Sequence, residues 1–238
     1  MSNMLFQMTD RVEVVVSRYN ENLAWTLYPP FNQFRYTVYN KGPNENFEKS
    51  RVDRVITLPN VGNECHTYLS HVTQNYDSLK PITIFLMGSL ERAVKYRKAL
   101  NTLLAVLETG SAVFLGQQVP SIREHFKGFQ LDEWQGTNRS NAVLNKSAEL
   151  IPCDIRPYEA WYDAHFPGEN ATFWSYNSIL SVDKRDILKR SKEFYERFLV
   201  GLSKGPNIEI GHYIERSFVA IFGPMEHTRL IEFSQANV

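Results

Sequence analysis

The stretch Val12-Glu13-Val14-Val15-Val16-Ser17-Arg18-Tyr19-Asn20-Glu21 decides how the chain is read. Apart from Glu13, residues 12–16 are all valine, which leaves almost no wet face. A strand of that kind is buried on both sides, as in the sheet of an α/β protein. The run stops abruptly at Arg18, Tyr19, Asn20 and Glu21, which all carry hydrogen-bonding groups. Open α/β sheets bind ligands beyond the carboxyl ends of their strands, so this polar cluster is the first place to look for a site. An ordinary polar turn would end a strand in the same way.

Working outward, residues 34–39 predict a second strand, closed by the turn signal Asn40-Lys41-Gly42-Pro43. Residues 51–58 predict a third. A helix opens after residues 59–64, with Asn60 or Asn63 as its N-cap and Cys65, Tyr68, Leu69, Val72 and Tyr76 as its apolar stripe. The apolar run 82–87 predicts another buried strand, ending at Gly88-Ser89. Helix 91–108 and a strand at 112–115 follow. Residues 116–157 are rich in Gly, Pro, Asn and Ser, with mild helical character at 141–150, and read as a lid, an acceptor-binding region or a surface excursion. Beyond them the pattern predicts a helix at 158–166, a strand region at 172–182 and helices at 184–202 and 212–222. The order of strands and helices gives an α/β fold with a mixed, largely parallel sheet flanked by helices on both faces. No linker composition divides residues 1–238, so one domain is expected.

The 238 residues can bury a real core without disulfides. An apolar content of 43% and an aromatic content of 13% suit a globular protein with rings to spare for stacking. The formal charge is zero and the basic residues are scattered, which argues against a nucleic-acid-binding face. Cys65 and Cys153 are far apart and in no metal-ligand spacing, so they read as free thiols of a reducing compartment. The first residues lack the basic region of a secretory signal, and no apolar run approaches the roughly 20 residues of a membrane span. A cytoplasmic protein is expected, with the sequons at Asn138, Asn145 and Asn170 unused.

Familiar catalytic fingerprints are missing. There is no glycine-rich dinucleotide or P-loop motif and no nucleophile elbow. His66 and His71 are five apart, and Asp163 and His165 two apart, so neither pair shares a helical face for metal. No two acidic residues anywhere are separated by a single residue, so an Asp-x-Asp clamp for a metal–diphosphate is not written here. What remains are polar strand and helix ends: Ser17, Arg18, Tyr19, Asn20 and Glu21; Tyr39, Asn40 and Lys41; Asn60, Gly62 and Asn63; Gly88 and Ser89. On one sheet edge they would suit a nucleotide sugar, with amides and cations on the diphosphate and tyrosine on the base. Each also reads as a local cap or turn.

Several of these motifs are similar to one family. They are Val-Val-Ser-Arg-Tyr-Asn-Glu at 15–21 with Trp25 following, Tyr-Asn-Lys-Gly at 39–42, Leu-Pro-Asn-Val-Gly-Asn-Glu-Cys-His-Thr-Tyr-Leu at 58–69 and Ile-Phe-Leu-Met-Gly-Ser at 84–89. Trp-Tyr-Asp-Ala-His-Phe-Pro-Gly at 161–168 and Gly-His-Tyr-Ile-Glu-Arg-Ser-Phe at 211–218 complete the set. In this order they resemble a family of fungi and large DNA viruses related to GT-A-type glycosyltransferases, closest to chlorella-virus domains that decorate the capsid protein. The resemblance covers residues 12–222. It implies a GT-A-like, Rossmann-like fold and transfer from a nucleoside-diphosphate sugar, a UDP-sugar, to a glycan or glycoprotein acceptor. The donor would be held by residues 12–115 and the acceptor by residues 116–222. A viral protein of this kind would act in the host cytoplasm. Gly88-Ser89 falls where many such enzymes keep Asp-x-Asp, so dependence on Mn²⁺ or Mg²⁺ stays open.

An inverting transferase needs a carboxylate to deprotonate the acceptor. Asp154, beside Arg156, and Glu159 are the expected catalytic residues. Asp163 and Glu215 are also available, although Glu215 reads better as a buried ion pair. Trp161, Trp174 and Tyr176 are candidates for stacking on the acceptor sugar. The same features would serve a non-catalytic nucleotide-sugar-binding module.

Overall fold

The computed structural model describes residues 10–134, 143, 145–147 and 149–233. Its strands are Val12–Arg18 (β1), Tyr36–Asn40 (β2), Val52–Thr57 (β3), Ile82–Met87 (β4), Val113–Gln118 (β5), Phe173–Trp174 (β6), Leu180–Asp183 (β7) and Arg229–Glu232 (β8). The longer helices are Asn63–Gln74 (α1), Ala93–Thr109 (α2), Tyr158–His165 (α4), Lys192–Leu202 (α6) and Glu209–Arg216 (α7). Single turns lie at Ile122–His125 (α3), Lys184–Ile187 (α5) and Phe218–Ile221 (α8).

β1 lies at the centre of a five-stranded sheet ordered β3-β2-β1-β4-β7. The pairs β1–β2, β1–β4 and β2–β3 are parallel, and β7 runs antiparallel to β4. The valine run explains this position. Val14 and Val16 point into one core with Ala99, Leu103 and Val106 of α2, while Val15 points into the other with Tyr68, Leu69 and Val72 of α1. The fold is therefore α/β, with a mostly parallel sheet covered on both faces.

A second sheet, ordered β6-β5-β8, adjoins the first, and a β7 side chain bonds directly to β5. Ser181 Oγ of β7 accepts from Val113 N at 2.6 Å and donates to Val113 O at 2.8 Å. This fully buried hydroxyl replaces a backbone ladder. Ser181→Ala would strand both buried backbone groups, at about 1–3 kcal/mol. Urea unfolding measures it, and a change under about 0.5 kcal/mol, the scale of an ordinary surface substitution, would contradict the bridging role.

Several expectations are corrected here. Helix α1 is entered through Gly62 in the left-handed region (φ 59), with no side-chain cap from Asn60 or Asn63. A Cβ on Gly62 would sit 2.7 Å from Leu202 O, so the closeness of α6 dictates this entry. The region 172–182 divides into β6 and β7 in different sheets, because Asn177 and Ser178 (φ 68 and 41) turn the chain between them. The span 184–202 divides at Ser191, whose hydroxyl accepts from Phe194 N and starts α6 afresh. The span 212–222 starts earlier than expected and divides at Ser217 into α7 and α8. The tail, which the sequence left unassigned, supplies β8 parallel to β5. The helical character expected at 141–150 falls largely outside the described residues. No described helix is long and apolar enough to cross a membrane.

Candidate functional site

The carboxyl ends of β1, β2 and β4 lie side by side, with Ser17 opposite both Tyr39 and Met87. Arg18 fastens this edge. Its Nε donates to Glu21 O at 2.7 Å, and its Nη1 donates to Asn40 Oδ1 at 2.6 Å and to Asn44 O at 2.5 Å. The guanidinium lies 4.1 Å over the Phe47 ring and is almost wholly enclosed. Glu21 turns back to accept from the amides of Tyr19 and Asn20 at 2.8 and 3.0 Å. Gly88 packs close beside it: a Cβ there would lie 2.9 Å from the Glu21 carboxylate, which would have to shift. Trp25 Nε1 closes the corner on Gly88 O at 3.1 Å.

The expected binding residues therefore divide by availability. Tyr19 and Asn20 are exposed on the rim, and Glu21, Asn63 and Ser89 are half-buried. Asn60 is exposed in the loop before α1. Ser17 is buried with its hydroxyl 2.9 Å from that of Thr67. Tyr39 is enclosed in the core, its hydroxyl 3.1 Å from His71 Nδ1. Asn40 is occupied with Arg18 and with Gly42 O. Lys41 Nζ donates to Val61 O and Asn63 O, both at 2.5 Å, and so anchors the loop into α1. Burial pushes the Lys41 ammonium down to about 8, against the pull of Glu64.

Glu64, in the first turn of α1, leads to Lys95 and Lys98, which sequence reasoning missed, and to Glu215, which it read as one side of a buried ion pair. Burial raises its carboxyl above the ordinary range. The charge of Glu215 adds to that rise, while its own amide, Lys95 and Lys41 oppose it. Lys95 Nζ donates to Ser89 Oγ at 3.0 Å, placing a cation at the end of β4. Glu215 Oε1 accepts from Ser178 N at 3.1 Å and from Ser178 Oγ at 3.2 Å. Tyr68 OH donates to Ser178 O at 2.7 Å. Lys98 is fully buried on α2 and reaches Ser175 Oγ and Tyr176 O. Burial pushes its ammonium down to about 7, against the pull of Glu215. No signal in the sequence marked it: the leucines at 100, 103, 104 and 107 suggest another inner face, whereas the buried one is Lys98, Ala99, Thr102, Leu103 and Val106.

The expected catalytic pair lies elsewhere. Asp154 has an 80% exposed side chain and pairs with Lys204 at 2.7 Å. Its neighbour in sequence, Arg156, turns instead to Asp132 and to Glu209. Glu159 faces Lys127 at 3.8 Å. Of the expected stacking residues, Trp161 is fully enclosed, stacked on His165 at 4.7 Å, and Trp174 is buried against Phe126. Tyr176 is half-buried beside the cluster, through its carbonyl on Lys98. Asp163 is held by Arg123 and His165 Nδ1 by Trp161 O, so the two do not converge.

A cavity of about 860 Å³ opens at the opposite edge of the sheet, lined among others by Glu13, Arg35, Arg54 and Lys80. Arg35 is already paired with Asp53 at 2.6 Å, and Arg54 faces Glu13 at 3.8 Å. The carboxyl edge, where carboxylates and cations meet beyond the strand ends, is the better candidate.

No family model matches the sequence, and comparison with curated protein sequences finds no match. Among solved structures, the chain is similar to a 4-diphosphocytidyl-2C-methyl-D-erythritol synthase from Anaerococcus prevotii. Identity is 9%, coverage 98% of this chain and 92% of that one, and the TM-score 0.43. It is also similar to CMP:2-keto-3-deoxy-manno-octonic acid synthetase complexed with CTP, at 12% identity, 93% and 89% coverage and a TM-score of 0.38. A third is described as mannose-1-phosphate geranyltransferase from Thermus thermophilus, at 13% identity, 93% and 74% coverage and a TM-score of 0.36. Likeness at this level carries no inference about substrate or reaction, so the resemblance to viral glycosyltransferases rests on the sequence motifs alone.

Proposed function

We propose that the chain is a sugar transferase using a nucleoside-diphosphate sugar, a UDP-sugar, with the donor on residues 12–115 and a glycan or glycoprotein acceptor on residues 116–222. The observation that carries this reading is the Lys95 ammonium on Ser89 Oγ at the end of β4, with Glu64 in the first turn of α1 within electrostatic reach of Lys95, Lys41 and Glu215. Transfer needs a base for the acceptor hydroxyl and positive charge for the departing diphosphate. Glu64 supports the first role, because a desolvated carboxylate with a raised pKa is a stronger base near neutral pH. Lys95 with Ser89 supports the second, at the β4 end. Tyr19 and Asn20 are free on the rim for the base and ribose. A capsid glycan is the acceptor that the sequence resemblance suggests.

The residues at this strand end do not fit a divalent metal. Gly88-Ser89 offers one hydroxyl, and the Lys95 ammonium 3.0 Å away would repel a cation. Among the described residues no group of three or more His, Cys, Asp and Glu is arranged to hold one. The second reading, a nucleotide-sugar-binding module without turnover, is favoured by Glu215 being already engaged by Ser178. Calorimetric titration with UDP and UDP-sugars, with and without Mn²⁺, followed by assay for sugar release, separates the two. Binding with release supports the transferase; binding without release, even with candidate glycan acceptors, supports the module. No binding at millimolar nucleotide removes both.

A further inference from the structure

Lys98 is a lysine with no solvent contact, on a helix that otherwise buries Ala99, Thr102, Leu103 and Val106 on that face. A buried ammonium is costly unless its hydrogens are used, so its partners show what its place demands. Those partners are Ser175 Oγ and Tyr176 O, at the start of the turn into β7. Ser175 Oγ also donates to Leu115 O of β5 at 2.7 Å, which ties the start of the turn to the second sheet. The next residues, Asn177 and Ser178, adopt φ of 68 and 41 without being glycine. Left-handed backbone at such residues is unfavourable and persists only where the surroundings impose it. The turn's far end then does two things: Ser178 N and Oγ donate to Glu215, and Ser178 O accepts from Tyr68 OH.

We propose that Lys98 is a positioning residue for the site: from α2 it fixes the turn at 175–178, and through Ser178 it sets the direction of the Glu215 carboxylate. The inference rests on the assignment of Glu215 to the functional site, but its geometry does not depend on which nucleotide is bound. Glu215, from α7, is the charged group acting on Lys98 across the site. The turn brings the Ser175 hydroxyl and the Tyr176 carbonyl, and β5 brings Leu115 O by way of Ser175. Because the ammonium discharges near a pH of about 7, the hold on the turn is pH-dependent, strongest in mild acid and weakening as pH rises.

The test uses the full chain without nucleotide. The side-chain carboxyl ¹³C resonance of Glu215 and the exchange rate of the Ser178 amide are followed across neutral pH in the wild type and in Lys98→Met. In the wild type, the Glu215 resonance shows an inflection near a pH of about 7. In Lys98→Met that inflection disappears and the Ser178 amide exchanges at least about tenfold faster, while β1 and β4 amides keep their protection. A folded Lys98→Met with the wild-type inflection and the wild-type Ser178 rate overturns the proposal. Should Lys98→Met fail to fold, a wild-type Glu215 resonance without any inflection in that range overturns it equally. Ser175→Ala, which removes one anchor and keeps the charge, is expected to accelerate Ser178 exchange while retaining the inflection. If these results hold and UDP does not bind, the transferase reading fails and the positioning relation stands.

Discussion

Glu209→Ala is expected to lose about 3–5 kcal/mol of folding free energy, the scale of breaking a buried ion pair by removing one partner. The Glu209 side chain has no solvent exposure. Its carboxylate accepts from Leu131 N at 2.7 Å and Cys153 N at 2.8 Å, and it meets Arg156 Nε at 2.8 Å. Leu131 and Cys153 both lie in the segment between α3 and α4, so one buried carboxylate ties two of its points to α7. Truncation leaves two amides without an acceptor and part of a guanidinium without its counter-charge. Native domains have only about 5–15 kcal/mol in hand, so the loss is a large share of the total. Denaturant unfolding reads it directly; a loss below about 1 kcal/mol, the scale of a single ordinary hydrogen bond, would mean that the carboxylate is dispensable.

The second large effect concerns activity. Glu64→Gln keeps the shape of the side chain and removes its basicity, so transfer is expected to fall about 10²–10⁴-fold, the usual contribution of a positioned base. Affinity for UDP should hold or rise, because a negative charge near the diphosphate is lost. The pH profile carries the sign. Burial, helped by Glu215, raises the Glu64 pKa, so the active carboxylate form appears only as pH rises through that elevated value. The acid limb of the rate profile should thus lie above the ordinary glutamate range in the wild type and disappear in Glu64→Gln. An acid limb that survives unchanged in Glu64→Gln would assign the base elsewhere, with Asp154→Asn and Glu159→Gln the next variants to measure.

The fold was largely legible because it is written in side-chain periodicity. The valine run of β1 and the apolar run of β4 have no wet face, and they lie beside one another in the sheet as such strands must. The helix α2 was legible but its inner face was not: of Val94, Leu100, Leu103, Leu104 and Leu107, the face its leucines suggest, only Leu103 is buried and Leu104 is 45% exposed. What periodicity cannot show is where a continuous pattern is cut. Ser191 and Ser217 sit within apolar-periodic stretches: the Ser191 hydroxyl caps α6, whereas Ser217 parts α7 from α8 through its backbone while its hydroxyl meets Tyr158 OH, and neither changes the pattern. The turn before β7 was hidden for a related reason, since Asn177 and Ser178 take left-handed backbone without the glycine that usually announces it.

The site was legible only at its edge. Strand ends pointed to residues 17–21, 39–42 and 88–89, and β1, β2 and β4 do place their carboxyl ends together. The chemistry-bearing groups came from positions with ordinary explanations. An acidic residue in a first helical turn, such as Glu64, normally just complements the helix dipole. Lys98 lies inside α2, away from any strand end, and Glu215 comes from a helix far along the chain. Asp154 and Arg156 looked like partners because they are two apart, yet in a loop they diverge, and Asp154 finds Lys204 from fifty residues away.

The most direct test of the central claim is a map of backbone amide shifts as UDP is added to the ¹⁵N-labelled chain. Saturable shifts are predicted at residues 17–21, 40–42, 61–64 and 88–95, the carboxyl edge of β1, β2 and β4 and the entries to α1 and α2. Shifts confined to the opposite edge, around Glu13, Arg35 and Arg54, or no saturable shift at millimolar UDP, would contradict the placement of a nucleotide-sugar site at the end of β1.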